Sequence, residues 1–353
     1  KELTVIDSYE KIVTVKKPVN RIVVVRRCAL ETLRTLKVSK DKIVGVEDII
    51  QYSGEGKWGV DYKIFFPEFQ DIPTVGVTWT PDIEVILSLK PDVVFLVPSS
   101  RVDSAVDTLE SAGISALRSL CKWDPSGVGR LDPSELADPS GLKVYSQELR
   151  QLGYIFDKKN EAEEFIDWLD GAMNPIFKGS ESIPEESKPK VYHEGSFGTW
   201  QTYSAYAYIE LSGGKNIFEE MSGDIDPEAV IERDPDIIVK VAPAGEVTGY
   251  HLDVGDMTEI AKIREEMMSR DILQNVAAVK KGRVYVISGY LTSSGPASAS
   301  RGFLQVIYQA KWFHPELFGD LDPKAIHQEY LTRFQRLDID LDKKGVFVYP
   351  KPS

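Results

Sequence analysis

Apolar residues recur along this chain in two rhythms, continuous β-branched runs and helical spacing, and the two alternate. Arg21-Ile22-Val23-Val24-Val25 is a continuous run, the pattern of a strand buried on both faces of a parallel sheet. Ala29-Leu30-Glu31-Thr32-Leu33-Arg34-Thr35-Leu36 follows with helical spacing, and Lys42-Ile43-Val44-Gly45-Val46 returns to a strand. Pro81 to Leu89 is again helical, Pro91 stops it, and Asp92-Val93-Val94-Phe95-Leu96-Val97 is a further apolar strand. Strand, helix, strand, helix predicts βαβ units and a mostly parallel sheet. A Gly- and aromatic-rich loop lies between Tyr52 and Gly59, and a Pro- and Gly-rich irregular insertion covers 122–142.

Residues 143–178 keep one apolar stripe through Leu149, Leu152, Phe156, Phe165, Leu169 and Ile176, which predicts one long amphipathic helix. Lys158, Lys159, Glu161, Glu163 and Glu164 form its charged face. Polar residues 179–188 read as a linker, and Pro189-Lys190-Val191-Tyr192-His193-Glu194 starts a new strand. Later elements are a strand at Val284-Tyr285-Val286-Ile287, a helix opened by Ser293-Ser294-Gly295-Pro296 and running past Ile307, a helix over 323–336, and a final strand at 346–349. The organisation expected is an N-terminal α/β lobe over 1–142, a connecting helix and linker over 143–188, and a C-terminal α/β lobe over 189–353.

An internal repeat supports two equivalent lobes. Asp82-Ile83-Glu84-Val85-Ile86-Leu87-Ser88-Leu89-Lys90-Pro91-Asp92-Val93-Val94 aligns without a gap on Asp226-Pro227-Glu228-Ala229-Val230-Ile231-Glu232-Arg233-Asp234-Pro235-Asp236-Ile237-Ile238. The pattern shared is a cap, an acidic first turn, a break and an apolar strand. A helix–Pro-Asp–strand joint is common in α/β proteins; the ungapped match of all four features favours a duplicated scaffold.

The net charge of −13 disfavours nucleic-acid and anionic-lipid partners, which call for basic patches. No window approaches about 18 apolar residues, the length of a membrane-crossing helix. Cys28 and Cys121 exclude a disulfide-rich scaffold and a four-cysteine zinc site, and leave open whether they bridge each other. Four scattered histidines (His193, His251, His314 and His327) include no HExxH motif, and no phosphate-binding GxxxxGK[ST] loop or GxSxG elbow is present.

In open α/β sheets ligands gather outside the carboxyl ends of the parallel strands. Those ends supply Arg26 and Arg27, Ser99-Ser100-Arg101, Cys121-Lys122-Trp123, His193 to Tyr203, and Gly289 to Ser294. Candidate ligand contacts are Arg26, Arg27, Trp58, Trp79, His193, Trp200, Tyr203 and Arg301. Arginine forks match carboxylates and oxyanions, and aromatic faces suit flat or bulky chelates. Each also has a plainer reading: the arginines as structural ion pairs, the tryptophans as core, His193 as a satisfied buried histidine. A free Zn²⁺ or Mn²⁺ ligand is disfavoured, because clustered His and carboxylate ligands are missing.

The order of these segments resembles the substrate-binding proteins of ABC importers for iron-siderophores, haem and cobalamin, the class III periplasmic binding proteins. The resemblance runs from about Asn20 to the end. It is carried by Asn20-Arg21-Ile22-Val23-Val24-Val25, Ile43-Val44-Gly45-Val46, Pro81 to Val94, Leu211-Ser212-Gly213-Gly214-Lys215-Asn216-Ile217, Pro235-Asp236-Ile237-Ile238 and Val276 to Tyr285. The tail, with His314-Pro315-Glu316-Leu317-Phe318 and Gly345 to Tyr349, looks most like the iron-complex branch. The chain departs from that family at Arg26-Arg27-Cys28, where small hydroxyl and proline residues are usual, and in the length of the 122–142 insertion.

The resemblance implies an α/β fold of two Rossmann-like lobes joined by a single long helix, with a ligand cleft between them. It implies an extracytoplasmic, monomeric receptor, anchored through a removed N-terminal segment, that hands a metal chelate to an ABC importer permease dimer. The chelate expected is of the ferric-siderophore or corrinoid-like kind, the protein itself carrying no cofactor; an oxyanion such as molybdate or tungstate is the alternative. Relatives present one Glu per lobe to the permease, which maps to Glu84 and Glu228; acidic residues there also suit the helix dipole. A non-enzymatic role follows. The competing enzymatic reading, a metal chelatase, rests on His193-Glu194 as an acid–base pair, although neighbouring strand residues face opposite ways.

Overall fold

The computed structural model describes residues 1–51, 62–118, 142–196, 198–202, 208–243, 245, 247–292 and 299–352. The chain divides into two compact units. Among the described residues, the first holds those up to Leu169 together with Leu331–Leu337, and the second holds those of Asp170–Tyr330 and those from Asp338 onward.

In the first unit the chain enters through an antiparallel hairpin, β1 (Glu2–Ile6) and β2 (Ile12–Lys16). There follow β3 (Ile22–Val24), α1 (Cys28–Thr35), β4 (Ile43–Val46), α2 (Tyr62–Phe65), the short strands β5 (Gly76–Val77) and β6 (Thr80–Pro81), α3 (Ile83–Leu89), β7 (Val93–Leu96), α4 (Asp103–Ser111) and β8 (Ser115–Arg118). A parallel four-stranded sheet runs β4-β3-β7-β8, with Ile22 opposite Val93 and Val93 opposite Ser115. The β-branched runs form these strands because both of their faces are covered: Val23, Val94, Leu96 and Ala116 are buried against Ile86 of α3 and Val106 and Leu109 of α4.

The long helix expected over 143–178 is two helices, α5 (Leu142–Ile155) and α6 (Lys159–Glu181). The apolar stripe continues through Phe156, yet Asp157 takes a left-handed φ of 56° and turns the chain. Its carboxylate pairs with Lys17 at 2.6 Å. The chain passes from one unit to the other inside α6, between Leu169 and Asp170. The stretch 179–188 begins as the last turn of α6 and continues into a 3₁₀ turn at Glu185–Ser187.

The second unit contains β9 (Lys190–Glu194), β10 (Gln201–Thr202), α7 (Tyr208–Leu211), β11 (Lys215–Asn216), β12 (Gly223–Asp224), α8 (Pro227–Arg233), β13 (Ile237–Ala242), β14 (Gly249–Asp253), α9 (Thr258–Ser269), α10 (Ala277–Lys280), β15 (Val284–Ser288), α11 (Phe303–Phe313), α12 (Pro323–Glu329), β16 (Lys344–Val346) and β17 (Val348–Tyr349). Its main sheet runs β11-β9-β13-β15-β17, parallel except for the β15–β17 pair. Tyr192, Ile238 and Val284 of this sheet are buried with Val230 of α8 and Leu273.

The repeat is physical. Asp82 caps α3 by accepting from the Val85 amide at 3.0 Å, and Asp226 caps α8 by accepting from the Glu228 amide at 2.9 Å. Ile86 and Val230 are the fully buried anchors of the two helices. Both helices end at a left-handed residue, Lys90 at φ 48° and Asp234 at φ 43°, and the next residue is proline in each case. Asp92 then accepts from the amides of Asn20 and Arg21, as Asp236 accepts from that of Lys190, pinning each edge of β3 and β9 beside the repeated strand.

Candidate functional site

At the carboxyl end of β3, the amides of Val25 and Arg26 both donate to the Phe95 carbonyl, at 3.0 and 3.2 Å. This fork holds two adjacent arginines in different surroundings. Arg27 is buried, and its Nη1 donates to both oxygens of Glu47, at 3.0 and 2.9 Å. Glu47 also accepts from the Thr78 amide at 3.0 Å, and the Tyr62 ring lies 5.8 Å from the Arg27 guanidinium. Arg26 is partly buried; its Nε is fully buried with no hydrogen-bond partner, and its guanidinium makes no ion pair among the described residues.

Beside this end of the sheet, Trp79 sits in the turn between β5 and β6 and is 47% exposed. Arg101, in a 3₁₀ turn that follows β7 and is capped by Ser99, places its guanidinium 5.2 Å from the Trp79 ring centre. The strand-end segment Ser99-Ser100-Arg101 is visible in the sequence, whereas the contact of Arg101 with Trp79 comes from the fold.

At the carboxyl end of β9 in the second unit, Glu194 is fully buried. It accepts from Arg270 Nη1 and Nη2, at 2.7 and 3.0 Å, and pairs with Lys240 at 2.8 Å. The Tyr192 hydroxyl, at 3.0 Å, and the Trp200 amide, at 2.9 Å, donate to it as well. Burial alone would raise the Glu194 pKa, but the Arg270 hydrogen bonds and the Lys240 charge outweigh it and hold the carboxyl below its ordinary value. Lys240 also donates to the carbonyls of Gly195 and Gly198, at 2.7 and 2.9 Å, fixing the loop that leads to Trp200. Trp200 takes a left-handed φ of 58° and lies 4.8 Å under the Arg270 guanidinium. Neither Lys240 nor Arg270 was legible as a partner from local sequence, since they lie on β13 and just past α9.

His193 is buried, and burial with the Lys240 charge pushes its pKa down to about 3, so it stays neutral. With Glu194 committed to two cations, the pair is arranged as a locked anchor and not as a proton-transferring couple. Arg301 is buried, with Tyr250 and Tyr290 each 5.7 Å from its guanidinium and Nη1 3.4 Å from the Tyr250 hydroxyl. That hydroxyl also meets His327 Nε2 at 3.0 Å. Trp58, Tyr203 and Cys121 lie outside the described residues, while Cys28 is buried at the start of α1.

The first unit thus brings Arg26, Trp79 and Arg101 to its strand ends, and the second brings Trp200 and its ionic support to its own. Glu84 and Glu228 stand exposed in the first turns of α3 and α8, with no ion pair among the described residues. Among those residues no group of three or more His, Cys, Asp or Glu side chains is placed to hold a metal ion, and no helix is long and apolar enough to cross a membrane.

A family model for periplasmic binding proteins matches residues 22–291. The molybdate-binding protein MolA of Haemophilus influenzae is 23% identical over 348 residues, spanning 94% of this chain and 90% of that protein. The high-affinity haem uptake system protein IsdE of Staphylococcus aureus is 24% identical over 64% of this chain and 69% of its own length. Among solved structures, the TroA-like periplasmic binding protein FepB of Veillonella parvula superposes with a TM-score of 0.75 at 21% identity, covering 98% of this chain and 99% of that one. The mixed α/β fold with parallel sheets is therefore that of the two-lobed binding proteins, and the chain belongs to the periplasmic binding protein family, the extracytoplasmic solute-binding receptors of ABC importers.

Proposed function

We propose that this receptor captures an anionic, oxygen-rich metal chelate of the ferric-siderophore type and delivers it to an ABC importer permease. The observation that carries the reading is Arg26. A buried guanidinium nitrogen without a hydrogen-bond partner is destabilising by about 1–3 kcal/mol, and an anionic oxygen supplies the missing acceptor. Trp79, exposed and backed by Arg101, offers a flat apolar face for the body of such a complex. A second reading, a bare oxyanion such as molybdate or tungstate, is favoured by the match to MolA along nearly the whole chain. The two readings share the anionic oxygens that Arg26 would grip.

Glu84 and Glu228 are proposed as the docking knobs, one per unit, for cationic pockets on the two permease subunits. Their equivalence in the repeat and their exposure support this role. No covalent step belongs to this function.

The test is calorimetric titration of solute-free protein with ferric siderophores, haem, cobalamin, molybdate and tungstate. Tight binding of one anionic member, weakened roughly tenfold or more in Arg26→Ala, is the expected result. Binding of a neutral or cationic solute alone, or unchanged affinity in Arg26→Ala, overturns the reading.

A further inference from the structure

Within the first unit a cavity lies at the other end of the sheet from Arg26. Helix α1 starts at Cys28, beside the carboxyl end of β3, and its eight residues carry the chain about 12 Å back toward the amino ends of the strands. There the residues after α1, the start of β4 at Ile43 and the loop Pro67–Phe69 surround a pocket of about 440 Å³. The remaining wall is Gln335, Arg336 and Leu337, from the short segment by which the chain returns to this unit after leaving it at Leu169.

The charge in this pocket is one-sided. Arg34, Lys37, Lys40 and Arg336 line it against a single acid, Glu68. Glu68 is already taken by Arg34, whose Nε and Nη2 reach it at 3.0 and 2.6 Å. Lys37 is paired with Glu164 at 3.3 Å. Lys40 and Arg336 make no ion pair among the described residues, in a protein whose net charge is −13. Desolvation and then the like charge of Arg34 pull the Arg336 pKa below its ordinary value, against the opposing pull of Glu68. Arg336 is held there by a left-handed backbone, φ 51°, and by its neighbour: buried Gln335 donates to Thr35 Oγ1 at 2.8 Å and to the Glu31 carbonyl at 3.2 Å. The other walls are apolar, with Leu33, Pro67, Phe69 and Leu337. The volume lies within the range of small-molecule sites, about 300–1,000 Å³.

We propose that this pocket is a second ligand site, taking a small anion with an apolar body, a carboxylate or a phosphate monoester. The anionic head lies between Lys40 and Arg336, and the body against Phe69 and Leu337. Occupancy ties the return segment Leu331–Leu337 to α1 and β4, so the ligand stabilises the first unit irrespective of the solute carried at the strand ends.

The experiment is calorimetric titration of the solute-free full chain with phenyl phosphate, benzoate and inorganic phosphate, alongside thermal unfolding. Saturable binding of phenyl phosphate or benzoate is expected, whichever binds identifying the head group, together with a raised unfolding midpoint. The double variant Lys40→Gln with Arg336→Gln should bind roughly tenfold more weakly or worse, as loss of charge-assisted hydrogen bonds predicts. Arg26→Ala should bind as the parent does, which separates this site from the one proposed for solute. Absence of saturation by both organic probes, equal affinity in the double variant, or loss of binding in Arg26→Ala overturns the proposal. Inorganic phosphate binding as tightly as phenyl phosphate overturns the assignment of an apolar body.

Discussion

Replacing Glu194 by glutamine removes one charge and almost no volume from a heavily bonded side chain of the second unit. The carboxylate is fully buried between Lys240 and Arg270, whose side chains are only 11% and 9% exposed. Breaking a buried pair by neutralising one partner destabilises by about 3–5 kcal/mol, because the remaining charge stays desolvated. Here the lower end applies: Lys240 keeps the carbonyls of Gly195 and Gly198, Arg270 keeps Glu266 at 2.8 Å, and glutamine retains an oxygen for the Trp200 amide. A loss of roughly 3 kcal/mol corresponds to a fall of roughly 6–12 °C in the unfolding midpoint for a unit of this size. The pH dependence carries a matching signature. The Glu194 pKa is depressed in the folded state, so its contribution is complete above the unfolded value of about 4.3 and is lost as pH falls through the folded value. Differential scanning calorimetry from neutral to acid pH should show the parent and Glu194→Gln curves far apart at neutrality and converging on acidification. A shift of a degree or less at neutral pH, or curves that remain parallel into acid, would refute the idea that this carboxylate holds the Trp200 loop through its two cations.

The two adjacent arginines should separate cleanly: Arg27→Ala strands the buried Glu47 carboxylate and lowers stability by about 3–5 kcal/mol in urea unfolding, whereas Arg26→Ala leaves the midpoint unchanged or raised and acts on solute affinity. Equal stability losses in the two would contradict the assignment. Glu84→Ala with Glu228→Ala should abolish uptake in cells while solute affinity stays at the parent value, with a stability change of only about 0.3–1 kcal/mol per site; normal uptake would remove both residues from docking. His193, with its pKa near 3, should give imidazole NMR signals that do not move between about pH 5 and 8. Because its folded pKa lies below the unfolded value of about 6.5, His193 favours the folded state fully above that value and progressively less as pH falls toward 3; an inflection near 6.5 in those signals would show the ring to be solvated.

What the sequence disclosed, and what it hid, follows the range of the interactions concerned. The duplicated helix and strand were readable because their determinants are local. Asp82 and Asp226 cap from three and two residues away, Lys90 and Asp234 end the helices at their own backbone angles, and proline follows at once. The break between α5 and α6 was not readable, since apolar spacing runs unbroken through Phe156 and only the backbone angle of Asp157 betrays the turn. The hairpin of β1 and β2 left a signal in the alternation Val13-Thr14-Val15, whose two valines are buried, but so short a run does not stand apart from background. The site shows the same division. Sequence placed Arg26 and Arg27 together at a strand end, yet which of them is spent structurally depends on Glu47, which arrives only through the pairing of β3 with β4. His193-Glu194 was equally visible as a pair of titratable residues, and its meaning reversed once Arg270, 76 residues further on, was seen to clamp the carboxylate. A charged residue whose partner is distant therefore reads as available chemistry when it is already engaged. The converse residue is a cation such as Arg26, whose Nε has no acceptor among the described residues, and it is this kind of residue on which the proposed solute contact rests.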